Sequence, residues 1–269
     1  MKLKGIIFDV DGTIADTEEV HRRAFNQTFA EFDLDWNWSE SDYHKLLSIS
    51  GGKERFKKCL NEDKTLKSKI ENPGLFIQKL HSRKSENYRA MLASDNIQLR
   101  PGIIRLFNEA QKKGIQLAIA TSSCLANLST LLDNTLDIDA NALFNTIVSS
   151  DSVSDKKPSP VAYQCALAGI GLTAESCIAI EDTRNGNLAA LGAGLHTIIT
   201  THAYTIDNDF YGASLVVNHL GEPNNAFTVS QGYDYDRQYV DIELLNNIIS
   251  SNDDSLSNDG MPDIASNIN

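Results

Sequence analysis

Five short, β-rich apolar runs separated by helical patterns constrain this chain more than any other feature. They fall at about 3–9 (LKGIIFD), 115–121 (IQLAIAT), 145–149 (NTIVS), 176–181 (SCIAIE) and 195–200 (LHTIIT), with ASLVVNHL over 213–220 a candidate sixth. Runs of this length fit strands buried on both faces, and strands alternating with helices give βα units and a parallel sheet. Helical patterns over 102–113, 124–133, 159–168 and 186–192 fill the intervals, with Gly114 and Gly169 where helix stops are expected. The predicted class is α/β.

One interval breaks the rhythm. Nearly a hundred residues separate the first strand from the run at 115–121, where a βα connection needs a small fraction of that. Apolar positions such as Leu46, Leu47, Phe56 and Leu60, then Leu75, Phe76, Leu80 and Met91, give this interval helical character. The expected organisation is a catalytic core over 1–15 and 94–222, a helical cap inserted over 16–93, and an acidic extension over 223–269. Within that extension DIELLNNII (241–249) is a candidate amphipathic helix, and about the last 20 residues, 250–269, are expected to be disordered.

The net charge of −12 is concentrated at the end: residues 221–269 hold nine acids against the single base Arg237. That distribution says little about a site, but it argues against a nucleic-acid partner, which calls for a basic patch. No apolar run approaches the length of a membrane span, and Lys2 and Lys4 lead straight into GIIFDVDGT rather than a signal peptide. Cys59, Cys124, Cys165 and Cys177 are too scattered for a zinc site and suit a reducing compartment, so a cytoplasmic protein is expected.

Four polar motifs follow four of the apolar runs. In FDVDGT, Asp9 ends a strand and Asp11 lies two residues on, so alternation would place both carboxylates on one side. Such a pair repels unless a proton or cation sits between. Mg²⁺ suits the pair, and a carboxylate is also a nucleophile towards phosphoryl groups; a structural Ca²⁺ site with a glycine turn is the alternative reading of this motif alone. Gly12 permits the turn, and Thr13 offers a hydroxyl and an amide. In AIATSS, Thr121 and Ser122 could bind phosphate oxygens, unless Ser122 or Ser123 simply caps the next helix. In DKKPSP, Lys157 could neutralise a transferring phosphoryl group, unless it is a solvated lysine. In IEDTRNG, Glu181 and Asp182 are metal-ligand candidates, unless they only favour the start of the helix that Gly186 opens. Together the four supply nucleophile, hydroxyl, cation and metal ligands at the carboxyl ends of parallel strands, where open α/β sheets bind ligands.

This ordered set resembles the haloacid dehalogenase superfamily in its phosphatase branch. The resemblance covers residues 1 to about 200 and implies a Rossmann-like sheet with the first strand central, and a helical cap inserted after it. It makes Asp9 the nucleophile and Asp11 the general acid/base, with Thr121 and Lys157 completing the catalytic set. It also implies Mg²⁺ held by the Asp9 side chain, the Asp11 backbone carbonyl and Asp182. DTEEVHRRAFN, SGGKERF, HSRKSENY and KKPSP narrow the resemblance to the CbbY group, near β-phosphoglucomutase and phosphoglycolate phosphatase. The implied substrate is xylulose-1,5-bisphosphate. Glu18 and His21 would face it from one helix face, a spacing that is physically consistent. Lys53 and Arg55, with Lys84, would hold the distal phosphate, and Gly52 and His81 would join the substrate-binding set. Two positions depart from the usual pattern: Val161 stands where an acid is common, and Thr183 where Ser is common.

The implied partner is a small phosphosugar, with no nucleic acid and no membrane; the oligomeric state is open, and a monomer is compatible. Three rival readings share the fold. A phosphosugar mutase would return the phosphoryl group to sugar, and His21 and Lys84 suit it too. A dehalogenase would do without Mg²⁺, against the presence of Asp11 and Asp182. A non-catalytic phosphosugar-binding protein would not need the Asp9–Asp11 pair.

Overall fold

Alternation along the strands builds two apolar layers, one on each side of a seven-stranded sheet. The computed structural model describes residues 2–136 and 140–255. Its strands are β1 (Gly5–Phe8), β2 (Gln116–Ala120), β3 (Thr146–Val148), β4 (Cys177–Glu181), β5 (His196–Thr200), β6 (Leu215–Val217) and β7 (Val229–Gly232). They lie in the order β3-β2-β1-β4-β5-β6-β7, and all are parallel except the pair β6–β7. This is the expected α/β Rossmann-like sheet, with β1 between the strands that lead into Thr121 and Asp182.

The helices are α1 (Glu18–Glu31), α2 (Glu40–Leu46), α3 (Gly52–Glu62), α4 (Lys64–Lys69), α5 (Pro73–Ser94), α6 (Ile103–Lys112), α7 (Leu125–Thr135), α8 (Ala140–Leu143), α9 (Val161–Ile170), α10 (Arg184–Gly192) and α11 (Ile242–Ser255). Ile6, Phe8, Leu117, Ile119, Ile178 and Ile180 face one side, where they pack with Leu106 and Phe107 of α6, Leu128 and Leu131 of α7, and Leu245 and Ile249 of α11. The alternate residues Ile7, Ala118, Ala120 and Ala179 meet α9 and α10 on the other side. Alanines there let α9 and α10 approach the sheet closely, which brings Tyr163 of α9 and Gly186 of α10 against Glu181 at the end of β4.

Between β1 and β2, helices α1, α2, α3 and α5, with Trp38 from the chain between α1 and α2, build a second cluster, of Phe25, Phe29, Trp38, Tyr43, Leu46, Phe56 and Leu80. It is rich in edge-to-face rings, such as Phe29 against Trp38 at 4.9 Å and 78°. The layer is not detached from the sheet, because Val20, Ala24, Tyr88 and Leu92 of α1 and α5 belong to the sheet's own cluster.

Two expectations are corrected. The chain beyond 222 does not stand apart from the core: β7 extends the sheet, and Val240, Ile242, Leu244, Leu245, Ile248 and Ile249 are buried in its main cluster. Their spacing on α11 gives one apolar stripe, so a segment rich in Asn, Asp and Ser still docks by a single face. Helix α11 also continues to Ser255, past the start of the stretch expected to be disordered; residues 256–269 lie outside the described residues. The second correction concerns Gly169, which does not stop a helix. Helix α9 runs on to Ile170 and ends at Gly171 in the left-handed conformation, while Gly169 lies against Thr146.

Candidate active site

Asp9 continues the β1–β4 ladder, its N–H donating to the Ile180 carbonyl at 2.9 Å. The chain then curls, with the amides of Thr13 and Ile14 both donating to the Val10 carbonyl. Gly12 makes this possible at φ 84°; a Cβ there would lie 2.3 Å from Asp182 Oδ2 and 2.7 Å from His202 Nε2. The curl sends the two carboxylates of FDVDGT to different partners rather than leaving them to share one cation.

Asp9 Oδ1 accepts a hydrogen bond from Lys157 Nζ at 2.6 Å, and the same ammonium donates to Glu181 Oε1. Strand alternation turns Glu181 towards α9 and α10, where Tyr163 Oη also donates to Oε1 at 2.8 Å. Its other oxygen accepts from the amides of Asp182 at 3.0 Å and Thr183 at 3.3 Å. The carboxylate fills the space over Gly186, where a Cβ would come within 2.0 Å of it. Glu181 is 0% exposed and absent from the cavity lining; it positions Lys157 and the chain leading to Asp182. The Thr183 hydroxyl caps α10 by accepting from the Gly186 amide at 3.1 Å, so helix α10 begins ahead of Gly186, and Ser in place of Thr183 could make the same bond.

Donor atoms of Asp9, Glu181 and Asp182 lie within 4.8 Å of one another. Burial pushes the Asp9 carboxyl well up, and its neighbours Glu181 and Asp182 push the same way against Lys157; burial also raises Asp182 to about 6. Two of the three buried carboxylates, Asp9 and Glu181, share Lys157 while Asp182 meets His202, and the hard oxygen donors suit a divalent cation. The Asp11 carboxylate lies outside this cluster, which leaves its backbone carbonyl as the donor that the family pattern implies. Among the described residues, no hydrogen bond reaches Asp9 Oδ2.

Asp11 Oδ1 accepts from Thr17 Oγ1 at 2.6 Å and Tyr88 Oη at 3.0 Å, and pairs with His21 Nε2 at 3.1 Å, while Oδ2 accepts from Ser123 Oγ. Burial alone would raise its pKa, but His21 and these hydroxyls hold it well below the usual carboxylate range. His21 Nδ1 accepts from Lys84 Nζ, and the imidazole stacks on Tyr88 at 3.9 Å. Lys84 is 4% exposed, and burial lowers its pKa to about 7. Ser122 lines the cavity, and Ser123 turns to Asp11 rather than capping α7; that helix's first amide, Leu125 N–H, donates instead to Asp151 at 2.8 Å. Thr121, 2% exposed, accepts from the Ser123 amide at 3.1 Å.

The remaining candidates complete the wall. Glu18 accepts from Tyr43 Oη at 2.7 Å, and that hydroxyl accepts from Arg55 Nη1 at 3.0 Å. Lys53 and Arg55 stand at the start of α3, His81 and Lys84 one turn apart on α5, and Gly52 lies against the His81 ring. Burial and the ammonium groups of Lys84, Lys53 and Lys156 lower the His81 pKa to about 4, so that ring is a neutral hydrogen-bonding group. One cavity of about 210 Å³ is lined by Asp9, Asp11, Thr121, Ser122, Lys157 and Asp182 from the core and by Glu18, His21, Gly52, Lys53, Arg55, His81 and Lys84 from the cap. Gly12, Thr13 and Glu181 lie behind it, Thr13 Oγ1 donating to Asp182 at 3.3 Å.

Sequence reasoning missed Thr17, Tyr43, Tyr88, Ser123, Lys156, Tyr163 and His202. Lys156 had a signal, as the lysine before Lys157 in KKPSP; its Nζ pairs with Glu54 of the cap at 2.5 Å. Thr17 lies in the DTEEVHRRAFN run, six residues from its partner Asp11, and the rest are ordinary polar residues whose partners are further along the chain.

This geometry agrees with the comparisons to known proteins. The family model described as haloacid dehalogenase-like hydrolase matches residues 6–200, and the chain belongs to that family. Within it, the chain is 43% identical over 213 residues to Protein CbbY of Rhodobacter capsulatus, which spans 79% of this chain and 92% of that protein. It is also 41% identical to the crystal structure of CbbY from Rhodobacter sphaeroides in complex with phosphate, with a TM-score of 0.75 over 81% of this chain and 94% of that one. A variant of the same protein, solved with xylulose-(1,5)bisphosphate, is 40% identical with a TM-score of 0.75 over the same shares of the two chains. The chain is thus a CbbY-like phosphatase of this family, a phosphoric monoester hydrolase.

Proposed function

We propose that this phosphatase hydrolyses a small sugar bisphosphate, xylulose-1,5-bisphosphate first among them, with Mg²⁺ as its divalent ion and Asp9 as a covalent phosphoryl acceptor. One observation carries the reading: the cavity that holds Asp9, Asp11 and Lys157 is also lined by Lys53, Arg55, Lys84 and Lys156. A monoester needs only the first group. The further cations fit a second phosphate, and Arg55, its Nε held by the Leu46 and Ile49 carbonyls and its Nη1 by Tyr43, brings a fixed positive charge to it. A sugar bisphosphate bound to a relative 40% identical adds support.

When bound, Mg²⁺ would be held by the Asp9 and Asp182 side chains and the Asp11 backbone carbonyl, and would offset charge on the phosphoryl oxygens. Asp9 Oδ2 attacks phosphorus in line, forming a P–O bond as the bond to the sugar oxygen breaks. Asp11 gives that oxygen a proton. The Thr121 hydroxyl and Lys157 ammonium bind the phosphoryl oxygens through both steps. Water then attacks the aspartyl-phosphate, Asp11 takes its proton, and the bond to Asp9 breaks to release inorganic phosphate. At rest Asp11 is ionised, so it must gain a proton as substrate arrives. The incoming phosphate dianion raises its affinity for one, and the His21–Lys84 pair lies beside it as a source. Cap closure keeps bulk water from the first step.

The test measures phosphate release from xylulose-1,5-bisphosphate, ribulose-1,5-bisphosphate, phosphoglycolate and β-glucose-1-phosphate at equal enzyme. Activity should stop with chelator, return with Mg²⁺, and show its highest kcat/KM on xylulose-1,5-bisphosphate. A preference for phosphoglycolate would overturn the substrate, and isomerised sugar without free phosphate would make the protein a mutase.

A further inference from the structure

We infer that His202 is a positioning residue that fixes the orientation of Asp182 and, through Tyr204, ties that carboxylate to the substrate-facing wall of the cap. The inference rests on the reading of Asp182 as a metal ligand. His202 lies in the turn after β5, and its side chain is 5% exposed. Its Nε2 is 2.9 Å from Asp182 Oδ2, while its Nδ1 accepts from the Tyr204 backbone N–H at 3.3 Å. A ring nitrogen that accepts a backbone proton leaves the other to carry the hydrogen, so the imidazole donates to Asp182 from Nε2. The turn is itself pinned, the His202 amide donating to Thr205 Oγ1 at 3.1 Å and the Thr205 amide to the His202 carbonyl at 2.9 Å.

Asp182 therefore receives one donor on each oxygen, Thr13 Oγ1 on Oδ1 and His202 Nε2 on Oδ2. A carboxylate has about four lone-pair sites, so two donors fix its plane and still leave an acceptor site on each oxygen for a cation. Carboxylates that bind metals are commonly held by outer partners in this way. Gly12 leaves the space in which the pair meets.

The second half of the link is Tyr204. Its hydroxyl donates to Glu19 Oε2 at 2.8 Å, and Arg22 clasps the same carboxylate with Nε at 2.8 Å and Nη2 at 2.6 Å. The Tyr204 ring stands edge-on to Tyr43 at 5.6 Å and 86°, and Tyr43 bonds Glu18 and Arg55. Two residues of one turn thus touch a metal-ligand candidate on one side and two cap residues, Glu19 and Tyr43, on the other. Settling Asp182 and seating the start of the cap are then parts of one arrangement.

The test is calorimetric titration of the full chain with Mg²⁺ alone, followed by steady-state kinetics. His202→Ala should weaken Mg²⁺ binding by about 10- to 100-fold, and His202→Gln, whose amide can restore the donor, should recover most of it. Tyr204→Phe should leave Mg²⁺ affinity unchanged and raise KM several-fold at nearly constant kcat. Mg²⁺ affinity unaltered in His202→Ala, or lost equally in His202→Gln, would overturn the positioning role. A wild-type kcat and KM in Tyr204→Phe would overturn the link to the cap. Absence of Mg²⁺ binding by the unaltered chain would instead remove the metal reading on which the inference stands.

Discussion

At the strand ends, Asp9, Lys157, Glu181 and Asp182 each sit within a few residues of a buried element, and the backbone does most of the aiming. In the cap, Glu18, His21, Arg55 and Lys84 are aimed by one another and by Tyr43 and Tyr88, through bonds that span 12 to 63 residues of chain and a ring stacked on Tyr88. The first arrangement gives rigid chemistry. The second gives a wall whose shape depends on several side chains agreeing, as expected of the part that selects substrate.

The sharpest way to break this contrast is to remove the proposed nucleophile alone. Asp9→Asn keeps the shape and should lower kcat by roughly 10⁴- to 10⁶-fold, as loss of a covalent nucleophile does elsewhere. Bisphosphate binding by calorimetry should persist, since the cap cations are untouched. Turnover near the wild-type level would end the covalent mechanism.

Glu181→Ala probes the floor from behind. It leaves Lys157 with Asp9 as its one remaining carboxylate partner and strips Tyr163 of its acceptor. Breaking a buried pair in this way costs about 3–5 kcal/mol, to be read by urea denaturation. A loss of kcat should accompany it, although Glu181 never meets substrate. Wild-type stability would show that the floor is not held as described.

The same contrast explains what could be read from the chain. Asp9, Thr121, Lys157 and Asp182 were legible because each ends or follows a short apolar run, and strand ends are where a parallel sheet gathers its ligands. The sheet itself was legible because alternation in GIIF, LAIA and CIAI can be satisfied only by burial on both faces. Ser123 was not legible, since a serine before a helix is more often a cap, and only the fold brings it to Asp11, 112 residues away. Tyr88 closes the HSRKSENY run, but its partner Asp11 is 77 residues away, and His202 carries no local signal. In the tail the periodicity of DIELLNNII was legible as an amphipathic helix, but nothing in its composition told that its leucines and isoleucines pack on α6 and the sheet.

Lys156→Ala sharpens the division between mono- and bisphosphate recognition. Its ammonium pairs with Glu54 across the core–cap boundary and lines the cavity near Lys53. If it reads the distal phosphate, KM for a sugar bisphosphate should rise by roughly tenfold, the worth of one charge-assisted bond, while a monophosphate such as p-nitrophenyl phosphate changes little. An equal rise for both substrates would assign Lys156 to closing the cap instead.

The smallest effect concerns Lys84 and pH. Its pKa is lowered to about 7, chiefly by burial, with Asp11 and Glu18 restoring part of the charge. Below that value the free enzyme presents an ammonium to the substrate; above it the amine is neutral and must take up a proton before it can pair with phosphate. The sign follows: kcat/KM for the bisphosphate should fall as pH rises through 7, by at most about tenfold per unit, since one pKa unit is worth 1.36 kcal/mol. Saturating substrate restores the proton, so kcat should fall less. In Lys84→Met the decline should vanish, with kcat/KM flat at a level near the wild-type alkaline value. An unchanged decline in that variant would assign the titration to another group, and the cap would then read phosphate with cations that stay charged throughout.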